Sequence, residues 1–311
     1  MEQTRNILDK LAGLSLAKYP IQDIYDFIKK LGVYGQMSVN MPIGTHILRA
    51  RENKKDEIFC CKNQLTYKPQ EYNTTFQRAS TPNNTMFYGS VYPESQGQEE
   101  EDWLNIITLL EICELAKNDS IKEGEQIVTF SAWTVSEKIP LASTIYHFDI
   151  LTSSNFIRKL KDDFEQQLQN NPDIFQEKTK LICDFFDNEF SKEDTCNEYD
   201  YLLSAIYTDI ITQYKVFPIA GVLYPSVRIK KHKGKGFNVA ITPEFTDKCL
   251  RLDKVVECTV YKKNGYVICD GEKEARIEPG QEVFTLRPIT NPEHRRGREN
   301  IYKFLNSKNN E

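Results

Sequence analysis

The order of strand-like and helix-like segments restricts the folds open to this chain. Continuous apolar runs typical of buried strands occur in "TMFYGSVYP" (85–93) and return in "AGVLYP" (220–225). Between them, apolar residues recur at helical spacing over 153–190 and 199–214. Strands at both ends with helices between predict an α+β fold. The full set of predicted strands covers 42–51, 85–93, 126–135, 219–224, 237–242, 255–262, 264–269 and 282–286.

Charge and hydropathy exclude several classes of protein. The 311 residues include 40 Lys+Arg and 45 Asp+Glu, a net charge of −5 that argues against a dedicated nucleic-acid binder. Residues 1–20 have no signal peptide, because Glu2, Asp9 and Lys10 interrupt any apolar core. No apolar run is long enough to cross a bilayer. We therefore expect a cytoplasmic protein with no membrane partner.

The cysteine and histidine positions argue against a metal site. Eight cysteines form no C-x-x-C pair, and the four histidines are scattered along the chain. The spacing favours reduced cysteines that serve as small apolar residues. Cys113 or Cys183 as a nucleophile remains an alternative, although no histidine lies in a supporting motif.

Residues 102–117 are expected to form a helix that presents carboxylates beside an apolar stripe. The stripe consists of Trp103, Ile106, Ile107 and Leu110. Glu111 and Glu114 follow Ile107 and Leu110 by four residues, which places both on or beside the stripe. An inward-facing carboxylate is costly unless it has partners, so the pattern alone favours structural ion pairs.

The strand at 220–225 ends at Pro225 and Ser226, and a run of cations follows in "VRIKKHKGKG". A surface turn and a site for an anionic ligand are both consistent with this pattern. The "GKGFN" stretch matches neither phosphate-binding glycine motif. The lysines at 230–235 are typical of a solvated loop, and both alternatives stay open for Ser226.

Four segments taken in order resemble the RES-domain family, which is named for its Arg, Glu and Ser. They are "GTHILRAR" (44–51), "FQRASTPNNTMFYGS" (76–90), "TLLEICEL" (108–115) and "GVLYPSVR…GFNVAI" (221–241). The resemblance implies a mixed-sheet core like that of ADP-ribosyltransferases, and degradation of NAD, often by toxins paired with an antitoxin. It predicts a catalytic domain over 42–290 with a helical insertion at about 153–214. A helical cap (1–41) and a polar tail (291–311) would flank that domain.

The resemblance also implies a set of site residues. Catalysis is expected from Glu111, Arg49 and Ser226, and NAD binding from Arg49, Arg78, Tyr88, Ser226, Arg228 and Asn238. The chain departs from the family pattern after its second arginine, where "AST" replaces an expected asparagine. It is also longer than a minimal toxin of the family.

The chemistry of NAD is consistent with these residue types. Guanidinium groups suit phosphate oxygens, and a tyrosine ring can stack on the cationic nicotinamide. A fixed carboxylate such as Glu111 stabilises the positive charge that develops on the ribose when the nicotinamide bond breaks. The expected activity is NAD cleavage to nicotinamide and an ADP-ribose product, with NAD as substrate and without a metal. Mono-ADP-ribosylation of a protein and a non-catalytic nucleotide-binding module stay open, as do an antitoxin, a regulatory protein and oligomerisation.

Overall fold

A computed structural model describes residues 1–91, 98–146, 155–193, 195–214, 217–227 and 236–306; the side chains of 98–101 and 103 are not described. Within these ranges, strands form one mixed sheet in the order β1-β5-β6-β7-β3-β2-β4-β8-β9-β10. The pairing of β5 with β6 is parallel, and every other neighbouring pair is antiparallel. The strands are β1 (Ser38–Met41), β2 (His46–Glu52), β3 (Phe87–Val91), β4 (Gly124–Val135), β5 (Ile139–Ser143), β6 (Gly221–Pro225), β7 (Phe237–Ile241), β8 (Leu250–Lys263), β9 (Tyr266–Arg276) and β10 (Arg287–Pro288).

The helices are α1 (Glu2–Ala12), α2 (Ile21–Lys30), α3 (Gln98–Ile112), α4 (Glu114–Lys117), α5 (Asn155–Leu168), α6 (Asp173–Phe190), α7 (Leu202–Thr212), α8 (Pro243–Cys249) and α9 (Pro292–Asn306). Helices α1, α2, α3, α6 and α7 cover one face of the sheet, whereas α5 and α8 contribute Ile157 and Cys249 to the core of the other face. Helices α1, α2, α6 and α7 share one core with β6 and β7, and α3 packs on β2 and β3. We call this side of the sheet the helical face. The opposite side, where Phe59 and Leu65 pack on the strands, is the loop face.

Strand β6 shows why the centre of the sheet reads as a continuous apolar run. Successive side chains point to opposite faces, so Val222 and Tyr224 join the helical-face core while Leu223 joins the loop-face core. The strand begins at Gly221, whose φ is +154° and where a Cβ atom would lie 1.9 Å from the carbonyl oxygen of Ala240. Only glycine fits at this approach to β7.

The structure confirms the α+β prediction and most of the predicted strands. The helices predicted over 153–190 and 199–214 correspond to α5, α6 and α7. The "KKNGY" turn joins β8 to β9, with Asn264 and Gly265 both at positive φ. No helix in the described ranges is long and apolar enough to cross a membrane.

One prediction of secondary structure is wrong, and two others hold only in part. Residues 282–286 form no strand, and only an isolated bridge links Val283 to Cys61. The polar tail, in which only a short helix near residue 300 was expected, is helical over Pro292–Asn306 and is joined to β9 by the ion pair of Arg298 with Asp270 at 2.8 Å. The expected helix 102–117 is interrupted at Cys113, whose φ of −84° and ψ of 109° are extended. The division into cap, catalytic domain and insertion stays a prediction.

Candidate active site

Helix α3 is positioned on the sheet by Ile107. This side chain is fully buried, and its Cδ1 atom lies 2.3 Å from where a Cβ atom would stand on Gly236. The glycine before β7 therefore lets the helix approach the connection between β6 and β7. Ile106, expected on the same stripe, is instead 43% exposed, because the buried face of α3 runs through Ile107, Thr108 and Leu109. The side chain of Trp103 lies outside the described residues.

Glu111 lies one helical turn beyond Ile107 and reaches the ends of two strands. Its Oε1 atom accepts a hydrogen bond from the Ser226 hydroxyl at 2.6 Å and another from the Asn238 amide at 2.8 Å. The partners are 115 and 127 residues away in the sequence. Among the described residues, both hydrogen bonds to this half-buried carboxylate end on Oε1.

Ser226 follows directly after β6 and is fully buried, at 0% exposure. Its backbone N–H donates to the carbonyl oxygen of Gly236 at 3.1 Å, which closes the end of the β6–β7 pair. A solvated turn would expose this side chain, so the alternative of a surface turn is wrong for Ser226. The short hydroxyl–carboxylate bond is of the charge-assisted type, the stronger class of hydrogen bond.

Asn238 is held in turn by a residue that sequence reasoning missed. Ser90 on β3 stands directly opposite Asn238 on β7 in the antiparallel register. The Ser90 hydroxyl donates to Asn238 Oδ1 at 3.0 Å, and both residues are at most 5% exposed. A run of three hydrogen-bonded side chains therefore crosses the helical face from β3 to α3. Strand alternation around Tyr88 places Ser90 on that face and was the available signal.

Tyr88 lies two residues before Ser90, on the same face of the sheet. Its hydroxyl is within 2.8 Å of the Ser80 hydroxyl and accepts from the Ala79 N–H at 3.1 Å. Burial raises the pKa of Tyr88 to about 12, so the phenol stays protonated at neutral pH. The resemblance predicts an asparagine within the "AST" stretch (79–81). Here Ala79 and Ser80 of that stretch instead hold the Tyr88 hydroxyl.

Arg78 lies at the end of α6. Its guanidinium donates to the carbonyl oxygens of Phe190 at 2.7 Å and Lys192 at 2.9 Å. It also stands 5.2 Å from the centre of the Tyr201 ring, a cation–π arrangement. A cation at a helix C-terminus is favourable, so part of the role of Arg78 is to hold α6 beside Tyr88.

Tyr224 connects these groups. It is 5% exposed, and its pKa is raised above the ordinary tyrosine value, first by burial and then by the neighbouring Tyr88 and Glu111. The positive charge of Arg78 partly offsets the rise at both Tyr224 and Tyr88. Arg78, Tyr88 and Glu111 thus share one electrostatic neighbourhood around a buried tyrosine, which sequence reasoning treated only as core.

Arg49 is not brought together with Glu111. Side chains alternate between faces along β2, so Arg49 shares the loop face with Ile47, while Leu48 points to the helical face. The Arg49 guanidinium stands 5.4 Å from the centre of the Phe87 ring. Its nitrogens donate to the carbonyl oxygens of Leu65 at 3.1 Å and Tyr88 at 2.7 Å. Burial, with a contribution from nearby Arg51, lowers the pKa of Arg49 to about 10, so it remains a cation at neutral pH.

Other candidates are settled by their surroundings. Glu114 is exposed and pairs with Lys117 at 3.1 Å, which confirms it as an ion-pairing residue. Burial raises the thiol pKa of Cys113, and that of Cys183 to about 12, which disfavours either as a nucleophile. The described residues contain no group of three His, Cys, Asp or Glu side chains placed to hold a metal. Arg228 and the lysines at 230–235 lie outside the described residues.

Comparisons with known proteins identify no family for this chain. No protein-family model matches the chain, and no curated protein is similar to it in sequence.

Proposed function

We propose that this chain cleaves the N-glycosidic bond of NAD and releases nicotinamide. The observation that carries the proposal is the convergence of Ser226 and Asn238 on one oxygen of Glu111. The three residues lie in the segments that resemble RES domains (108–115 and 221–241). Burying a charge is costly, and the two hydrogen bonds offset only part of that cost, which favours a role for this carboxylate beyond the fold.

The reaction places a single demand on the protein. The bond between ribose C1′ and the pyridinium nitrogen breaks, and its electron pair goes to the ring, so nicotinamide leaves as a neutral molecule. Positive charge develops on the ribose, which a fixed carboxylate stabilises more in the transition state than in the ground state. Water then bonds to C1′ and loses one proton. We assign the stabilising charge to Oε2 of Glu111, with Oε1 fixed by Ser226 and Asn238.

The remaining residues of the helical face suit binding. Tyr88 and Tyr224 supply aromatic surface beside Glu111, and Arg78 supplies a cation for phosphate oxygens. Arg49 serves better as a support that ties β3 to the 59–65 segment, because it lies on the loop face, away from Glu111, and donates to two main-chain carbonyls there. This arrangement is consistent with an ADP-ribosyltransferase-like cleft. In a cell, such an activity would deplete NAD and act as a toxin or defence effector.

The test is Glu111→Gln against Glu114→Gln. The amide keeps the shape of Glu111 and removes the charge, so NAD cleavage by the purified protein should fall about 100- to 1,000-fold. Glu114→Gln removes a charge from the same segment and should keep most of the activity. Wild-type turnover by a folded Glu111→Gln protein would refute the assignment.

Mass analysis of the products identifies the acceptor. Assays with and without inorganic phosphate distinguish ADP-ribose from a phosphorylated ADP-ribose. Expression in a host should deplete NAD and arrest growth with wild type but not with Glu111→Gln. Arrest at unchanged NAD would instead favour ADP-ribosylation of a specific target.

A further inference from the structure

The geometry points to Ser90 as a positioning residue that orients the Asn238 amide toward Glu111. The inference rests on the proposed function, because it assigns Ser90 a role in the same site. An asparagine amide has one end that donates and one that accepts, and the two ends are nearly equal in shape. Which end faces Glu111 decides whether the contact attracts or repels a carboxylate.

The register of the sheet makes this contact specific. Ser90 and Asn238 are directly opposite residues on β3 and β7, and Tyr224 on β6 faces Asn238 from the other side. Asn238 therefore lies between two paired strands and has little freedom to turn. The Ser90 hydroxyl donates to Oδ1 at 3.0 Å, which commits Nδ2 to Glu111 Oε1 at 2.8 Å.

Burial makes the Ser90–Asn238 hydrogen bond hard to replace. Ser90 is 3% exposed and Asn238 is 5% exposed, so water is a poor substitute for the serine hydroxyl. Without that hydroxyl, the carbonyl end of the amide loses its partner, and the reversed orientation places two oxygens against each other at Glu111. The carboxylate would then be held by Ser226 alone and would sample positions that do not serve the ribose.

The kinetic test is a double-mutant cycle with NAD as substrate. Ser90→Ala should lower kcat about 3- to 10-fold, the range expected for one hydrogen bond, while KM changes less than about 2-fold. In the Asn238→Ala background the same substitution should change kcat less than about 2-fold, since Ser90 acts only through Asn238. Ser90→Thr keeps a hydroxyl and should recover most of kcat.

A merely structural role predicts a different pattern. If Ser90→Ala lowers kcat by the same factor in both backgrounds, or leaves kcat unchanged in the wild-type background, the inference is wrong. Thermal unfolding of all four proteins checks that each is folded at the assay temperature.

A spectroscopic arm separates this inference from the proposed function. Asparagine-selective ¹⁵N labelling gives a side-chain amide signal for Asn238, identified by its loss in Asn238→Ala. That signal should shift in both Ser90→Ala and Glu111→Gln. Shifts in both variants without NAD cleavage by wild type would refute the proposed function and keep the positioning role. A signal that moves in neither variant would overturn the positioning role, even in a protein that cleaves NAD.

Discussion

Ser226→Ala tests whether the buried hydroxyl serves the carboxylate or only the fold. The substitution removes the 2.6 Å bond to Glu111 Oε1 and leaves the backbone bond from Ser226 to Gly236 intact. A hydrogen bond to a charged group contributes about 1.5–3 kcal/mol to stability. Because Glu111 is half-buried, water can partly replace the hydroxyl, so we expect a loss near 1.5 kcal/mol.

That loss corresponds to a small change in melting temperature. An unfolding entropy of about 2.1 cal/mol/K per residue gives roughly 0.65 kcal/mol/K for 311 residues. Ser226→Ala should therefore lower Tm by about 2 °C, measured by calorimetry. Cleavage of NAD should fall much further, about 10- to 100-fold, because one of the two bonds that fix Glu111 is lost.

The control is Ser143→Ala at the end of the neighbouring strand β5. Ser143 is 3% exposed, and within the described part of the chain its hydroxyl accepts only a long bond of 3.4 Å from the N–H of Ile145. This variant loses a buried hydroxyl without touching Glu111 and should keep wild-type turnover. If Ser226→Ala and Ser143→Ala have equal activity, the assignment of Ser226 to the site is refuted.

Four further substitutions, one of them compensatory, test other parts of the structure. Gly236→Ala should displace α3 and reduce turnover at least about 10-fold by moving Glu111, and Ile107→Val, which removes the nearest atom, should restore part of it in steady-state assays. Arg49→Lys should lower the unfolding free energy by about 1–2 kcal/mol in a denaturant titration, because an ammonium cannot reach both carbonyls. It should leave KM for NAD within about 2-fold, and a large rise in KM would instead place Arg49 at the ligand. Arg78→Gln should raise KM for NAD and also lower Tm; unchanged Tm would show that the bonds to the end of α6 contribute nothing.

The resemblance to RES domains, more than local pattern, indicated the central residues of the candidate site, because Glu114 has the same helical spacing as Glu111. Glu111 followed an apolar helical residue by four positions, and Ser226 ended a continuous apolar strand. Neither pattern shows which segments meet. The β6–β7 and β3–β7 registers bring Ser226 and Asn238 beside Glu111, and such long-range pairing is not encoded in local periodicity.

Other elements escaped prediction for identifiable physical reasons. Helix α9 has no buried residue in the described structure, so only a short helix near residue 300 was expected and its full length was missed. Strand β5 contains Pro140 and is only five residues long, and a proline within a short apolar run argues against a strand inside a sheet. The orientation of Arg49 was foreseeable, because it lies two residues after buried Ile47 and therefore shares its face.

The separation of Glu111 from Asn238 by 127 residues has a consequence for synthesis. The carboxylate is made well before the strand that holds it. At about 5–20 residues per second, roughly 6 to 25 s pass between translation of the two positions. During that interval a nascent chain carries Glu111 without the amide or the serine that fix it. Under the proposed function, no NAD would be cleaved until both strands exist, and chains that end before residue 226 should be inert.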